Sequence, residues 1–472
     1  MSGAALLTVH ILMLTACSDY TDIQPKGKNL LSTATQLEML LNEEFTTTCT
    51  DMKSVCSDLC PAVENLPTLL SQPTKTRAAI LASFDDTEMD HLAELTATDD
   101  DCANYYGYIG RIANPILLNI DGAEGEQATK NRIKSEALVL RAYFHYILVN
   151  KFAKAYNPST AATEPGVPYM TEESDITVPT TKVTVQEVYD NILADLDAAI
   201  NLNALPDVAA NRMRVSMPCA YAAKALVLMS MQRYDDAQAE AQRALSFNST
   251  VDDYNTMLST TYGMFGMPHE VFTRPQLQCQ EDLFYTYGVE GYPITTEAWN
   301  LFEPGSICHD NLSTMNMAYD YMMDMGMMLL GVPYEFVMDY TSGWNGAGMK
   351  TTHMYLILAE CMLRKGNVTQ AMEQLDKIRK GRIKQDVYQP LTGNVTTLDD
   401  GIAHLKQTSH GENIFSIWNF INRKRWNQTD WRETFTRNIA GTTYTLAPES
   451  RMWTFPFPQN VMNNNPSMTH NY

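Results

Sequence analysis

Positive charge is scarce in this 472-residue sequence: 34 Lys and Arg stand against 55 Asp and Glu, a formal net charge of −21. A surface of that sign repels phosphate backbones and anionic lipid headgroups, which argues against polynucleotide binding and polybasic membrane docking. Long apolar runs are missing as well. Past the first twenty residues nothing approaches the ~20 consecutive apolar residues of a membrane span. Enzymatic signatures are also absent: there is no H-E-x-x-H, no G-x-x-x-x-G-K-[ST] and no G-x-S-x-G. His269-Glu270 and His309-Asp310 are isolated pairs with no third partner. Hydrophobic residues at 45% and charged residues at 19% are still the proportions of a globular chain. At roughly 100–200 residues per domain, the length allows two or three domains or one large one.

The first twenty residues have a character of their own. Ala4 to Leu14 is an apolar run of signal-peptide length, and Leu14-Thr15-Ala16-Cys17 has the form of a bacterial lipobox. On this reading residues 1–16 are a lipoprotein signal peptide and Cys17 is lipidated, so the membrane is reached through a lipid anchor only. The alternative is a short N-terminal core helix. No Lys or Arg precedes Cys17, whereas a positive n-region is expected, which leaves room for a start upstream of Met1. None of residues 1–16 is charged, so the acidity belongs to the chain that follows. Of the other cysteines, Cys49, Cys56 and Cys60, with Cys102 not far on, could pair in an oxidising compartment. The C-S-D-L-C spacing is neither a redox C-x-x-C nor a convincing zinc pair. Cys219 and Cys361 sit in helical apolar patterns and read as buried thiols.

Helical periodicity dominates the rest. Residues 131–157 are apolar nearly all round between Ala137 and Val149, which predicts a deeply buried helix. Thr184 to Leu202 is amphipathic, with Thr184 and Glu187 at capping-box spacing. Two later segments share one pattern: Tyr221, Ala225, Leu228, Ala237, Ala241 and Ala244 recur as Tyr355, Ala359, Met362, Ala371, Leu375 and Ile378. These are tetratricopeptide (TPR) spacings, with turns at 232–236 and 364–367, and small residues stand where paired helices approach closely. The stretch from about 250 to 350 differs: it is rich in Tyr and Trp among Gly, Pro and Asn, and carries a Met-rich run at 315–328. A repeat scaffold with an aromatic, loop-rich insertion is suited to presenting a recognition surface.

Together these segments resemble the SusD/RagB family of Bacteroidetes surface lipoproteins. The likeness rests on S-D-Y-T-D-I-Q-P-K-G after Cys17, N-Y-Y-G-Y-I-G-R-I-A-N at 104–114, S-E-A-L-V-L-R-A-Y-F-H-Y-I-L-V-N-K-F at 135–152 followed by G-V-P-Y, V-Y-D-N-I-L-A-D-L-D-A-A at 188–199, and the C-terminal F-P-F-P-Q-N-V-M-N-N-N-P-S-M-T-H-N-Y. Two segments depart from the family pattern. Lys350 and His353 replace the Arg and Glu that open the second repeat, and W-N-F-I-N-R-K-R-W-N-Q-T-D-W-R-E at 418–433 replaces a Glu- and Arg-rich helix. The resemblance implies a mostly α-helical SusD-like fold over residues 17–472. TPR-type helices are expected around 131–202, 218–245 and 351–380, with a ligand-facing insertion at about 250–350.

The resemblance also implies a non-catalytic protein of the outer-membrane surface that captures nutrient oligomers. A TonB-dependent (SusC/RagA-like) channel would be its partner, and it would use no cofactor. Aromatic content favours an oligosaccharide ligand, with peptide close behind, since both stack on flat apolar faces rimmed by hydrogen-bonding groups. By analogy with the family, the candidate ligand-binding residues are Asp58, Tyr105, Tyr285, Tyr287, Tyr292 and Trp299. For each aromatic the competing role is packing; Asp58 could instead cap a turn. The acidic runs at 84–90 and 98–101 read as solvated faces ahead of a structural calcium site or a glycosidase carboxylate pair. An exported glycosidase or peptidase, and a TPR adaptor for a protein partner, are the competing functions.

Overall fold

The computed structural model describes residues 31–46, 49–56, 66–175, 177–262, 268–288, 293–310, 336–338 and 343–472. The signal-like segment, Cys17, Asp58, Cys60, Tyr292 and the Met-rich run lie outside these residues.

Helices carry the architecture. In chain order they are α1 (Ala34–Met39), α2 (Thr50–Cys56), α3 (Leu66–Leu70), α4 (Arg77–Ser83), α5 (Met89–Leu95), α6 (Asp100–Tyr108), α7 (Asn114–Asn119) and α8 (Gln127–Phe152). Then come α9 (Val185–Asn201), α10 (Met217–Ser230), α11 (Tyr234–Phe247), α12 (Thr296–Trp299), α13 (Thr351–Arg364) and α14 (Val368–Arg379). The last three are α15 (Leu398–Glu412), α16 (Trp418–Trp426) and α17 (Gln459–Asn464). A π turn over Ile109–Ala113 joins α6 to α7.

Four antiparallel strand pairs complete the description: β1 (Leu258–Tyr262) with β2 (Pro268–Phe272), β3 (Asp282–Phe284) with β6 (Met349–Lys350), β4 (Pro293–Thr295) with β5 (Phe336–Met338), and β7 (Phe435–Ile439) with β8 (Thr442–Leu446). All but the last pair fall in or at the edge of the insertion.

Helix α8 is the axis of the core. From Ser135 to Phe152 every side chain is buried, as its all-round apolar character predicts. The helix ends five residues before its periodic pattern does. Ala153 turns extended, and the last carbonyls are taken by side chains from far along the chain: Lys424 Nζ donates to Asn150 and Ala153, and Asn471 Nδ2 donates to Phe152. A cation at a helix C-terminus also meets the negative end of the dipole. Helix α9 starts where its sequence says. Glu187 N–H donates to Thr184 Oγ1 at 3.2 Å, and Thr184 N–H donates to Glu187 Oε2 at 2.8 Å, closing the capping box.

The two helix–turn–helix pairs are α10–α11 and α13–α14, and α11 packs on α13. Ala225, Ala237, Ala241 and Ala244 are fully buried between the helices of the first pair, and Ala359 and Ala371 between those of the second. The first turn is shorter than expected, since α11 already begins at Tyr234; Asp235 and Asp236 lie in its first turn, where the helix dipole favours acids.

Two sequence expectations are corrected here. Cys49 and Cys102 are free, buried thiols rather than disulfide partners, and burial pushes the Cys102 thiol up to about 12. The acidic run at 98–101 is not a solvated face: Asp99 and Asp101 each accept from buried Lys151 Nζ at 2.6 Å. Asp51 lies 3.4 Å from the same ammonium and pairs with Arg77 at 2.5 Å. Burial opposes the charge on Lys151, but the surrounding carboxylates hold it protonated well above the ordinary lysine range. Among the described residues no group of three or more acidic, His or Cys side chains is arranged to hold a metal.

Candidate ligand-binding cleft

The family-derived aromatics divide between core and surface. Tyr105 is 1% exposed, its phenol lies 3.5 Å from Cys49 Sγ, and its ring tilts against Phe144 at 5.5 Å. Tyr285 is fully buried and meets Tyr287 edge to face at 5.5 Å. Backbone bonds explain that burial: Tyr285 N–H donates to Arg212 O, and Tyr287 N–H donates to Phe45 O. Phe45 in turn packs on Tyr108, Phe144 and Phe284. These rings stitch the start of the insertion to the α6–α8 core. Tyr105 and Tyr285 therefore offer no face to a ligand, and Tyr287 is half-buried beside them.

Trp299 is placed differently. It ends the four-residue helix α12, half-buried, with its indole stacked on His309 at 4.2 Å and 11°. The neighbouring Leu301 is 40% exposed. Leu301 and Ala298 form one lip of a cleft of about 680 Å³. The opposite wall is scaffold: α15 supplies Ile402, His404 and Lys406, α16 supplies Asn419, Arg423 and Trp426, and Glu433 with Phe435 closes one side. Aromatic and aliphatic faces thus alternate with amide, imidazole, ammonium and carboxylate groups, a lining suited to holding a polar ligand with flat apolar faces.

A chain of contacts fixes the lip. His410 Nε2 lies 3.1 Å from the Ala298 carbonyl, and Arg423 Nη2 lies 3.1 Å from His410 Nδ1. The carbonyl only accepts and the guanidinium only donates, so the imidazole is neutral and carries its proton on Nε2. Burial, reinforced by the Arg423 charge, lowers His410 to about 3. The Arg423 guanidinium lies 3.5 Å over the Phe435 ring. Opposite, Lys406 Nζ donates to Trp431 O at 2.7 Å and to Glu433 at 2.9 Å. The Lys406 and Glu433 charges at this wall thus offset each other, which suits an uncharged ligand.

Below α12 a buried ion network joins the insertion to the scaffold. Arg274 pairs with Asp282 at 2.8 Å, Arg382 with Glu281 at 2.6 Å and with Glu412 at 2.8 Å, and Lys350 with Glu412 at 2.5 Å. Three cations thus meet three carboxylates. Burial alone would raise Glu412, but Arg382 and Lys350 hold its carboxyl far below the usual range. This network accounts for the first departure from the family pattern. Lys350 finds its acid on α15, and His353, neutral, takes the Lys350 N–H on Nδ1 at 3.3 Å. The second departure resolves residue by residue: Arg423 holds His410, Lys424 caps α8, and Arg425 forms a two-pronged pair with Glu360 at 2.7 and 2.5 Å. Sequence reasoning assigned none of these; the only signal was a run of three cations in a helix that also carries Trp418, Phe420, Ile421 and Trp426.

Residues 32–228 match a SusD-like family model described as starch-binding and associating with the outer membrane. Solved structures share the fold over 93% of this chain. A SusD superfamily protein from Bacteroides thetaiotaomicron is matched over 100% of its length at 17% identity and TM-score 0.64. A SusD-like carbohydrate-binding protein from Bacteroides vulgatus is matched over 97% at 15% identity and TM-score 0.61. Surface glycan-binding protein A from Bacteroides uniformis is matched over 99% at 14% identity and TM-score 0.59. No curated protein matches the sequence. Among the described residues no helix is long and apolar enough to cross a membrane. Residues 32–228 thus carry the SusD-like family pattern, and the SusD-like fold extends through the rest of the chain.

Proposed function

We propose that this protein is a non-catalytic, lipid-anchored protein of the outer-membrane surface that captures nutrient oligomers, glycans above all, and hands them to a TonB-dependent transporter. The observation that carries the reading is the cleft at the seam between insertion and scaffold, with Leu301 and Ala298 facing Trp426, Phe435 and paired polar groups. The family model's description as starch-binding, and the glycan-binding relative from Bacteroides uniformis, favour sugar over peptide. Within the cleft, apolar faces would stack on pyranose C–H surfaces while Asn419, Lys406 and Glu433 orient hydroxyls. Trp299 would act through its stack on His309, setting the angle of the lip. Capture then needs no bond to break: the ligand is held, and release follows when the transporter favours a conformation that binds it less well.

Calorimetry of the full chain against panels of soluble oligosaccharides and peptides tests this. Binding of one oligosaccharide class without turnover is expected, with Leu301→Asp or Trp299→Ala weakening it by about 1–3 kcal/mol, the scale of a buried anchor. Cys17→Ala is expected to move the protein out of the membrane fraction. Catalytic release of product would overturn the reading, and binding confined to peptides would replace the ligand class.

A further inference from the structure

A second cavity, away from the insertion, has a different chemistry. It measures about 540 Å³ and lies between the π turn with α7, the segment after Val167, and the C-terminal residues around α17. Its walls are chiefly apolar: Pro115, Leu118, Met170, Phe457, Val461 and Met468. The volume falls in the ~300–1,000 Å³ range of small-molecule pockets, which are usually apolar with a few fixed polar groups.

Two features mark it as more than a packing gap. The backbone of the π turn is bare where it meets the cavity: a Cβ added at Gly110 would meet nothing within 4 Å. π turns re-aim helix faces and recur at functional sites. The polar groups are also held in place. Arg141 Nη1 reaches Asn114 Oδ1 at 3.4 Å and pairs with Glu172, while its Nε and Nη2 grip Asp195 at 2.7 Å each. Glu172, offset by Arg141, is the one charged side chain among the lining residues, so no Lys or Arg at the cavity wall draws an anion. Cys102, with its thiol pushed up to about 12 by burial, stays uncharged and adds to the apolar lining.

We infer that this cavity is a second ligand site, taking an uncharged small molecule with an apolar aryl or acyl body and a hydrogen-bonding end set at Asn114 and Glu172. It is independent of the cleft in residues and in chemistry. Leu118, 65% exposed, stands at its lining and is free of any core role.

The test uses the full chain and the uncharged dye Nile red, with anionic anilinonaphthalene sulfonate as the charge control. Saturable Nile red binding with blue-shifted emission is expected, the anionic dye binding about tenfold more weakly. Gly110→Phe should weaken Nile red binding about tenfold or more by filling the cavity, while removing a helix-interior glycine should not lower the melting temperature. Leu118→Asp should weaken the dye as well and guards against a Gly110 variant that fails to fold. Leu301→Asp, in the cleft, should leave the titration unchanged. Non-saturable binding, unchanged affinity in the folded Gly110→Phe and Leu118→Asp variants, or loss of binding in Leu301→Asp would overturn the assignment.

Discussion

The two helix pairs repeat one backbone at an offset of 134 residues, from Tyr221 to Tyr355, yet their interiors differ in kind. Positions that shape the pair agree. Ala225 and Ala359 are both fully buried, as are Ala237 and Ala371. Arg243 lies over the Tyr221 ring at 5.8 Å, and Lys377, at the matching place, lies over Tyr355 at 5.0 Å. Positions that face neighbours disagree: Ser216, Cys219, Leu226 and Ser230 of the first pair correspond to Lys350, His353, Glu360 and Arg364 of the second. The first pair packs on α8, where Ser230 Oγ meets the Tyr146 hydroxyl at 2.7 Å. The second pair meets the insertion, α15 and α16, and binds them through buried charge. A few small residues set the shape of a pair, and the remaining positions choose what it holds.

The sharpest way to break this comparison is to give the second pair the interior of the first. Glu360 stands where Leu226 stands, and it receives Arg425, Arg364 and the Trp426 indole N–H at 3.0 Å or closer. Burial alone would raise its carboxyl; Arg425 and Arg364 hold it down at about 2. Glu360→Leu leaves the Arg425 guanidinium buried without its acid, and a loss of about 3–5 kcal/mol is expected from denaturant midpoints at pH 7. The double variant Glu360→Leu with Arg425→Met should recover most of that loss, because the penalty lies in the orphaned charge. A single variant that cost under ~1 kcal/mol would show that the charge adds nothing the apolar pair lacks.

The matched residues Cys219 and His353 separate the pairs by pH. Burial, then the Lys350 charge, lowers His353 to about 3, whereas burial raises the Cys219 thiol to about 12. The unfolded chain protonates its histidine near 6.5 and the native one refuses the proton until about 3. Stability is therefore full above 6.5 and falls with acid across that window, by about 1.4 kcal/mol per pH unit for this site. His145 and His410, also lowered to about 3 by burial, add slopes of the same sign. Cys219 contributes nothing there. Unfolding midpoints between pH 7 and 4 should show a slope shallower by about 1.4 kcal/mol per unit in His353→Leu; equal slopes would mean the native imidazole is protonated.

How much of this was legible in the sequence follows the range of the interactions. Helix α8 could be read because it is apolar all round, α9 because its cap lies three residues from its start, and the pairs because alanine spacing is local. The cleft could not. Its lip depends on Ala298 meeting the His410, Arg423 and Phe435 chain across more than a hundred residues, and no spacing rule links them. Aromatic content misled for a related reason. A tyrosine in a loop-rich stretch is equally fit for a platform or for a seam, and Tyr285 is drawn inside by its backbone bond to Arg212. The acidic run at 98–101 hid its burial because its partner, Lys151, lies fifty residues on at the end of the buried helix α8.

The smallest expected difference isolates the backbone from everything else. Both pairs turn on a left-handed residue at the same place, Gln232 with φ 60° and Gly366 with φ 75°. The bonds around them match: Gln232 N–H to Met229 O at 3.1 Å and Gly366 N–H to Leu363 O at 2.9 Å, then Arg233 N–H to Leu228 O and Asn367 N–H to Met362 O, both at 2.9 Å. A left-handed conformation costs an L-residue about 1–2 kcal/mol, while glycine costs about 0.5–1 kcal/mol in unfolded-chain entropy. No atom lies within 4 Å of a Cβ built on Gly366, so a side chain there meets only the backbone penalty. Gly366→Gln should destabilise by about 1 kcal/mol or less, and Gln232→Gly should stabilise by a similar amount. Equal and opposite shifts in the unfolding midpoint would establish that the two turns are one structure in two chemical settings. Shifts of the same sign would mean that the Gln232 side chain supports the first turn in a way that its matched backbone bonds do not account for.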